Sequence, residues 1–472
     1  MDKKSFEKYV NRMFAENTLP ALKSFIRIPN LTPACDPNWA TNGLLEKAAS
    51  LIISFGKALK LKDAEFNLIK DKGYSPLVFI DIPATRPNDK QTILFYGHFD
   101  KMPHGTGWDP DKGPTKPVVE NDHLYGRGSA DDGYASFSIL TAIKACQAHN
   151  CLLPRICCIF EGSEESASAH LYYYFNKLMP ILGDNISVFI PLDSGCSDYD
   201  RIWITNSLRG LMNMGINIQT LDKKCNYGPE ASGRTPENLF ILRKILDGII
   251  DSKTGETKIP ELTVKEIPKS IYDQLDKEIA ILGEDKIRKS IPLYDGVKPL
   301  KDDVKELLIN NRWKPSFSIL GINELPPLDD RGFSVNQGLL AVVNIRLPPL
   351  IDLNAAKEAV ENVVEKNVYF DTQVNCEVLE PQGGWYLSSL SKRVDIIMNK
   401  ASKEYFGNEV AYIGVGGGIP FITYFQTKYP NADIICTGVC GSDSFEHGPN
   451  ENLNLIACKK LILVLCYLLS EI

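Results

Sequence analysis

Residues 92–100 read TILFYGHFD. An apolar run rich in aromatic and branched residues ends on a histidine and an acid. The same grammar recurs twice. RICCIFEGSEE at 155–165 runs out on Glu164 and Glu165, and SVFIPLDSG at 187–195 runs out on Asp193. Short apolar runs bounded by turn residues read as buried strands. LYGRGSADDG at 124–133 places Asp131 just ahead of a helix-like stretch, DGYASFSILTAIKACQAH, and GSDSFEHGPNE at 441–451 places His447 ahead of the last helix. Strands alternating with helices predict a three-layer α/β sandwich. The polar strand ends would then converge at the carboxyl edge of a mainly parallel sheet, where open α/β folds bind ligands.

Working outward, the pattern divides the chain. Its 472 residues are too many for one core, so two or three domains are expected. Alternation of strand and helix holds from 76 to 206. IWITNSLRGLMNMGINIQT at 202–220 then reads as one long alternating strand. A helix at 236–250 follows, and residues 252–315, rich in Lys, Asp, Glu and Pro, read as helices decorating an insertion. FSILGI, LLAVVNIRLPP, LNAAKEAVENVVEKN and VYFDTQVNCEVLE complete a second, α+β unit. After GGW at 383–385 the first pattern resumes. The expected division is a catalytic domain of 1–206 plus 382–472, with 207–381 inserted as an α+β lid.

Totals narrow the function classes. The chain carries a net charge of −7 and no long basic run, which argues against a nucleic-acid partner. MDKKSFEKYVNRMF at the start reads as an amphipathic helix and not as a signal peptide. LILVLCYLL at 461–469 is too short to span a bilayer and reads as a buried helix. Twelve cysteines with no C-x-x-C pair suggest free thiols in a reducing compartment, so a cytoplasmic location is expected.

His98, Asp131, Glu165, Asp193 and His447 read together as one metal site. Two imidazoles and three carboxylates suit a pair of divalent ions, with zinc the first choice. Asp100, two residues after His98, has the place of a carboxylate that orients an imidazole. The glycines around Asp131 let the backbone turn so that its carboxylate could bridge two ions, although acids at a helix start can simply complement the helix dipole. Glu165 would be a ligand. Glu164 would be the general base, taking a proton from metal-bound water and passing it to the leaving amine. His104, His123, His149 and His170 read as surface or packing residues. A Gly-rich phosphate loop at 414–418 is set aside because Pro420 would block the helix after it.

The words H-x-D (98–100), G-R-G-x-x-D-D (126–132), E-G-x-E-E-x-x-S (161–168) and H-G-P-N-E (447–451), in that order, resemble the zinc-dependent aminoacylase, carboxypeptidase and carnosinase-type dipeptidase family. ASG at 231–233, NIRLPP at 344–349 and GGGIPF at 416–421 extend the resemblance over nearly the whole chain. It implies a di-zinc hydrolase of small peptides with an inserted lid that makes a homodimer contact. His98 and Asp193 would bind one ion, Glu165 and His447 the other, and Asp131 both, across a cis Asp131–Asp132 bond. Arg346 would hold a substrate carboxylate. Gly416, Gly417 and Gly418 would bring backbone N–H groups to the substrate.

This chain departs from that pattern in its lid. Family members carry a histidine shortly before the lid ASG, but no histidine lies between 170 and 447 here. Tyr227, with Asn226 beside it, stands about where that histidine would be, and either side chain can donate a hydrogen bond. The open alternatives to a dipeptidase or carboxypeptidase are therefore an N-acyl-amino-acid amidohydrolase and a metal-binding homologue without catalysis.

Overall fold

A computed structural model describes residues 2–223, 228–325, 327–330, 332 and 335–472. In chain order the strands used below are β1 (Glu65–Ile69), β2 (Leu77–Ile82), β3 (Thr92–His98), β4 (Arg155–Glu161), β5 (Ile186–Pro191), β6 (Gly210–Gln219), β7 (Ser316–Ile322), β8 (Gly338–Leu347), β9 (Gln373–Val378) and β10 (Asp433–Ile434). The helices are α1 (Gly133–Ala148), α2 (Leu171–Leu182), α3 (Asn238–Ile249), α4 (Lys269–Leu282), α5 (Val304–Trp313), α6 (Leu353–Lys366), α7 (Pro420–Lys428) and α8 (Leu455–Glu471). They fall into two units, one of residues 1–205, 387–413 and 424–472, the other of residues 206–386 and 414–423.

In the first unit β3, β4, β5 and β10 run parallel, and β2 and β1 add antiparallel strands beyond β4, in the order β1-β2-β4-β3-β5-β10. Every residue of β3 is buried, as both faces of a parallel sheet should be. On one face lies α1, and a Cβ placed on Gly97 would come within 3.0 Å of Ala135 in that helix. On the other, Phe189 of β5 stacks on Phe425 at 4.1 Å, and Phe175 of α2 packs edge-on against the same ring. These are the three layers. Helix α1 is buried almost all round because α8 covers its outer side, with Ser138 Oγ 3.4 Å from Cys458 Sγ. Among the described residues no helix is long and apolar enough to cross a membrane.

The second unit holds an antiparallel sheet in the order β7-β8-β6-β9. Alternate residues point inward. Met212, Met214, Ile216 and Ile218 of β6 meet Leu339, Val343 and Ile345 of β8, under Ile241 and Ile245 of α3 and Val360 of α6. The polar insertion folds as helices with a small core of its own, Ile271 and Leu275 against Leu308 and Trp313. Its centre is an ion pair. Arg312 donates from Nη1 and Nη2 to Glu278 at 2.6 and 2.8 Å, both side chains being buried.

Three expectations are corrected. The strand expected across 202–220 breaks at Arg209, whose N–H leaves the ladder to donate to Gly417 O at 2.9 Å. Helix α7 begins at Pro420, so this proline does not block it. Proline fits the first helical turn, where its missing N–H has no intrahelical partner to lose. Residues 382–386 and 414–423 group with the second unit. There Gln382 exchanges backbone hydrogen bonds with Leu211, and a Cβ on Gly418 would lie 2.4 Å from Arg209 O.

Glycine is required where α1 starts. A Cβ on Gly133 would lie 2.3 Å from both Gly128 O and the Phe25 ring. Gly133→Ala should overpack this corner at a cost of about 1–3 kcal/mol. The expected outcome is a lower urea midpoint of unfolding followed by circular dichroism. An unchanged midpoint would show that the corner yields freely.

Candidate metal centre

The parallel register puts the chemistry on one edge. His98 is the last residue of β3 and lies opposite Glu161, the last of β4. Three residues on, Glu164 and Glu165 open a single 3-10 turn, Glu164–Ser166. Asp193 follows β5 by two residues. Asp131 lies in the loop that enters α1, joined to Asp132 by a cis peptide bond. His447 occupies a left-handed conformation, φ 60°, in the loop before α8. Left-handed backbone is costly for a non-glycine residue and is kept where surrounding contacts over-determine it.

These side chains converge. His98 Nε2 lies 3.0 Å from Asp131 Oδ1 and 3.9 Å from Asp193 Oδ1. His447 Nε2 lies 2.8 Å from Asp131 Oδ2 and 3.1 Å from Glu165 Oε2. Each oxygen of Asp131 thus faces a different imidazole. His98, Asp131 and Asp193 offer ligand atoms within 4.8 Å of one another, and so do Asp131, Glu165 and His447. Glu164 belongs to neither triad, although its Oε2 comes to 4.0 Å from His98 Nε2.

A scaffold of polar contacts aims the set. Asp100, fully buried, faces His98 Nδ1 at 3.4 Å and accepts from the N–H groups of Glu164 and Glu165 at 3.0 and 3.1 Å. His98 Nδ1 also meets the main-chain Asp100 O at 3.2 Å, so this one residue fixes both the imidazole and the turn of the two glutamates. Sequence reasoning gave Glu161 no role. It is buried and accepts from the hydroxyls of Tyr96, Ser163 and Ser168, so that it ties both ends of the turn to β4. Glu451 was missed as well. Its Oε1 accepts from the N–H groups of Ala130 and Asp131, and its Oε2 accepts from Arg127 Nη1, while Arg127 Nη2 donates to His447 O. Asp132, next to Asp131, accepts from the N–H of His98. The only hint in the sequence was that Glu161 and Glu451 sit inside the same short words as the candidate ligands.

The electrostatics are those of too many acids in too little water. Burial, then the charge of Asp131, pushes Glu165 up to about 8, and burial against the pull of His98 leaves Asp193 up at about 6. Burial and Asp193 hold Glu164 well above the usual carboxylate range. Asp131 goes the other way. Burial opposes its ionisation, but hydrogen bonds from His447 and His98 keep it far below the ordinary value. In return, hydrogen bonds to Asp131 and Glu165 push His447 up to about 11. His98, against the effect of burial, is raised by Asp100 and Asp131. Glu165 Oε1 is buried with no hydrogen-bond partner among the described residues. Crowded anions, an orphaned carboxylate oxygen and a mixed imidazole and carboxylate donor set fit divalent cations.

The remaining candidates lie outside this cluster. His149 stacks on Phe6, and His170 Nδ1 pairs with the N–H and hydroxyl of Ser75. Cys440 is buried and donates to Ala130 O at 3.0 Å. Arg346, Gly416, Gly417 and Gly418 belong to the second unit. Arg346 stands on β8 opposite Ser316 of β7, on the sheet face away from the apolar core, with no side-chain partner among the described residues. Arg209 Nη1 donates to that same serine, and burial followed by the charge of Arg346 brings Arg209 down to about 10. Gly416 is also a packing requirement, because a Cβ there would lie 2.8 Å from Asn311 Nδ2. Asn226 and Tyr227 lie outside the described residues.

Known proteins share both sequence and architecture with this chain. It is 24% identical over 394 residues to the Cys-Gly metallodipeptidase DUG1 of Saccharomyces cerevisiae, covering 78% of this chain and 76% of that protein. It is likewise 24% identical over 373 residues to the Beta-Ala-His dipeptidase of Homo sapiens, covering 77% and 71%. The fold superposes on human carnosine dipeptidase 1 with a TM-score of 0.80 at 20% identity, over 99% of this chain and 100% of the other. An M20 family metallo-carboxypeptidase from Sulfolobus solfataricus also gives 0.80, at 21% identity, over 97% and 99%. The model of peptidase family M20/M25/M40 matches residues 94–471, a span that holds every residue of the cluster, and the chain belongs to that family.

Proposed function

We propose that this chain is a two-metal peptidase that cuts the amide bond of a small peptide carrying a free carboxylate, as a dipeptidase or a carboxypeptidase. The observation that supports it most is the division of the Asp131 carboxylate between two imidazoles, with Glu164 left over beside both triads. His98 and Asp193 would hold one ion, Glu165 and His447 the other, and Asp131 both. Zinc suits these donors. When bound, such ions supply Lewis acidity to the scissile carbonyl and to water.

The protein's own groups do the rest. Glu164 takes the proton of the attacking water and returns it to the leaving nitrogen. Its raised proton affinity suits both halves of that task. Asp100 holds His98 by its Nδ1 side, so that Nε2 faces the metal position. Arg346, without a side-chain partner among the described residues, grips the substrate carboxylate as a guanidinium fork. Gly416–Gly418 and either Tyr227 or Asn226 are the further substrate contacts of this reading. The relatives named for Cys-Gly and Beta-Ala-His support a dipeptide over a longer chain. We place the enzyme in the cytoplasm, a setting in which the free cysteines stay reduced. We assign a homodimer contact to the lid, where Phe240 and Phe370 line one groove and are 71% and 79% exposed.

Glu164→Gln should keep its metal and lose about a hundredfold or more in kcat, since a general base is typically worth about 10²–10⁴. Glu165→Gln should instead weaken metal binding. Equal metal loss in both variants would reverse the assignment of the pair.

Metal analysis should give two ions per chain at saturation, and one tight ion would sink the two-metal reading. Binding should also release protons, because Glu165 and His447 are raised to about 8 and about 11 without metal and must deprotonate to bind it. Affinity should therefore climb steeply as pH rises to about 8 and more gently from there to about 11. Titration calorimetry in buffers of different ionisation enthalpy reads the proton count directly, and no release at pH 7 would remove both Glu165 and His447 from the ligand set.

Arg346→Ala should raise KM for dipeptides far more than for their C-terminal amides. If both suffer alike, Arg346 serves the sheet and not the substrate.

A further inference from the structure

The end of α1 opposite to Asp131 carries two cysteines that the reaction does not use. The helix stops at Ala148 with His149 as its C-cap, and Asn150 follows with φ 56°. Asn150 N–H donates to Gln147 O at 3.1 Å, and Cys151 N–H donates to Cys146 O at 3.0 Å. This pair of bonds, five-to-two and six-to-one around a left-handed residue, is the Schellman ending of a helix. Its usual companion is an apolar contact between the residue two places past the cap and the residue three places before it. Here those two positions are Cys151 and Cys146, so the Schellman turn sets two sulfur side chains at the place of that contact.

We propose that Cys146 and Cys151 form a reversible disulfide, a two-thiol redox site built into the end of this helix. The six-to-one hydrogen bond holds the two α-carbons on one turn, as a bridge spanning about 4.4–6.8 Å requires. Access is graded in the right order. Cys151 is partly exposed and Cys146 is buried. A low-molecular-weight disulfide such as oxidised glutathione therefore meets Cys151 first. The Cys151 thiolate attacks one sulfur of that disulfide, a mixed disulfide forms, and the first glutathione leaves as a thiolate and takes up the proton that Cys151 gave off. The Cys146 thiolate then attacks Cys151 Sγ, the internal bond closes, and the second glutathione leaves as a thiol. The protein gives up two electrons and two protons, and one disulfide becomes two thiols. Closure also ends the hydrogen bond from Cys146 Sγ to Cys466 O in α8, so the two redox states differ in how α1 holds the C-terminal helix.

The test is direct because trypsin cuts after Lys144 and Arg155, and the peptide Ala145–Arg155 carries these two cysteines and no other. The native protein is incubated with oxidised glutathione, quenched in acid, alkylated and digested. The expected peptide is unalkylated, about 2 Da lighter than its dithiol form, and regains both alkylation sites after dithiothreitol. In Cys146→Ser the same treatment should leave glutathione on Cys151, because the resolving thiol is gone. A wild-type peptide that stays doubly alkylated, or that retains glutathione on Cys151, overturns the proposal.

Discussion

A half-buried carboxylate shared between two imidazoles is the constraint on which the catalytic unit turns. Hydrogen bonds from His98 and His447 favour the ionised form of Asp131 against its burial, and Asp131 in turn raises both imidazoles. The three come from segments more than 300 residues apart at the extremes, so the chain must close completely before the charges balance. Glu451 and Arg127 carry out that closure. Glu451 takes the N–H groups on the Asp131 side, and Arg127 reaches the carbonyl of His447. Breaking such a pair would leave a buried charge uncompensated, which costs far more than the pair gains by itself.

The same logic explains how the two glutamates come to stand together. Adjacent residues on a regular strand would point to opposite faces. The single 3-10 turn after β4 lets both carboxylates stay on the metal edge. Asp100 pins that turn by two backbone N–H groups, and Glu161 pins its flanks by three hydroxyls. Three donors suffice to satisfy a buried carboxylate that has no cation beside it, although burial still raises Glu161 to about 7.

Much of this was legible in the sequence, for a physical reason. A parallel sheet puts every carboxyl end on one edge, so polar residues that close apolar runs must meet there. His98, Asp193 and the two glutamates could be placed by that rule alone. Asp131 and His447 needed the words around them. Glu161 and Glu451 stayed silent because their partners are set by loop geometry; Glu451 bonds residues 320 to 324 positions away. In the second unit the composition of 252–315 announced exposed helices but not that Glu278 and Arg312 would be buried together. Pro420 was misread because proline is a breaker inside a helix and welcome in its first turn.

The acid crowding finally bears on why Glu164 suits a base better than its neighbour does. Both glutamates are raised by burial, but they differ in what else they touch. Glu165 is drawn toward ionisation by a direct hydrogen bond from His447, which commits its carboxylate to that imidazole and to whatever cation sits beside it. Glu164 faces Asp193 as its strongest charged neighbour, and its own carboxylate makes no hydrogen bond among the described residues. A carboxylate left without donors, beside another anion and only partly exposed, holds a proton tightly and stays uncommitted to any one partner. Those are the two properties that proton transfer in a closed site asks for.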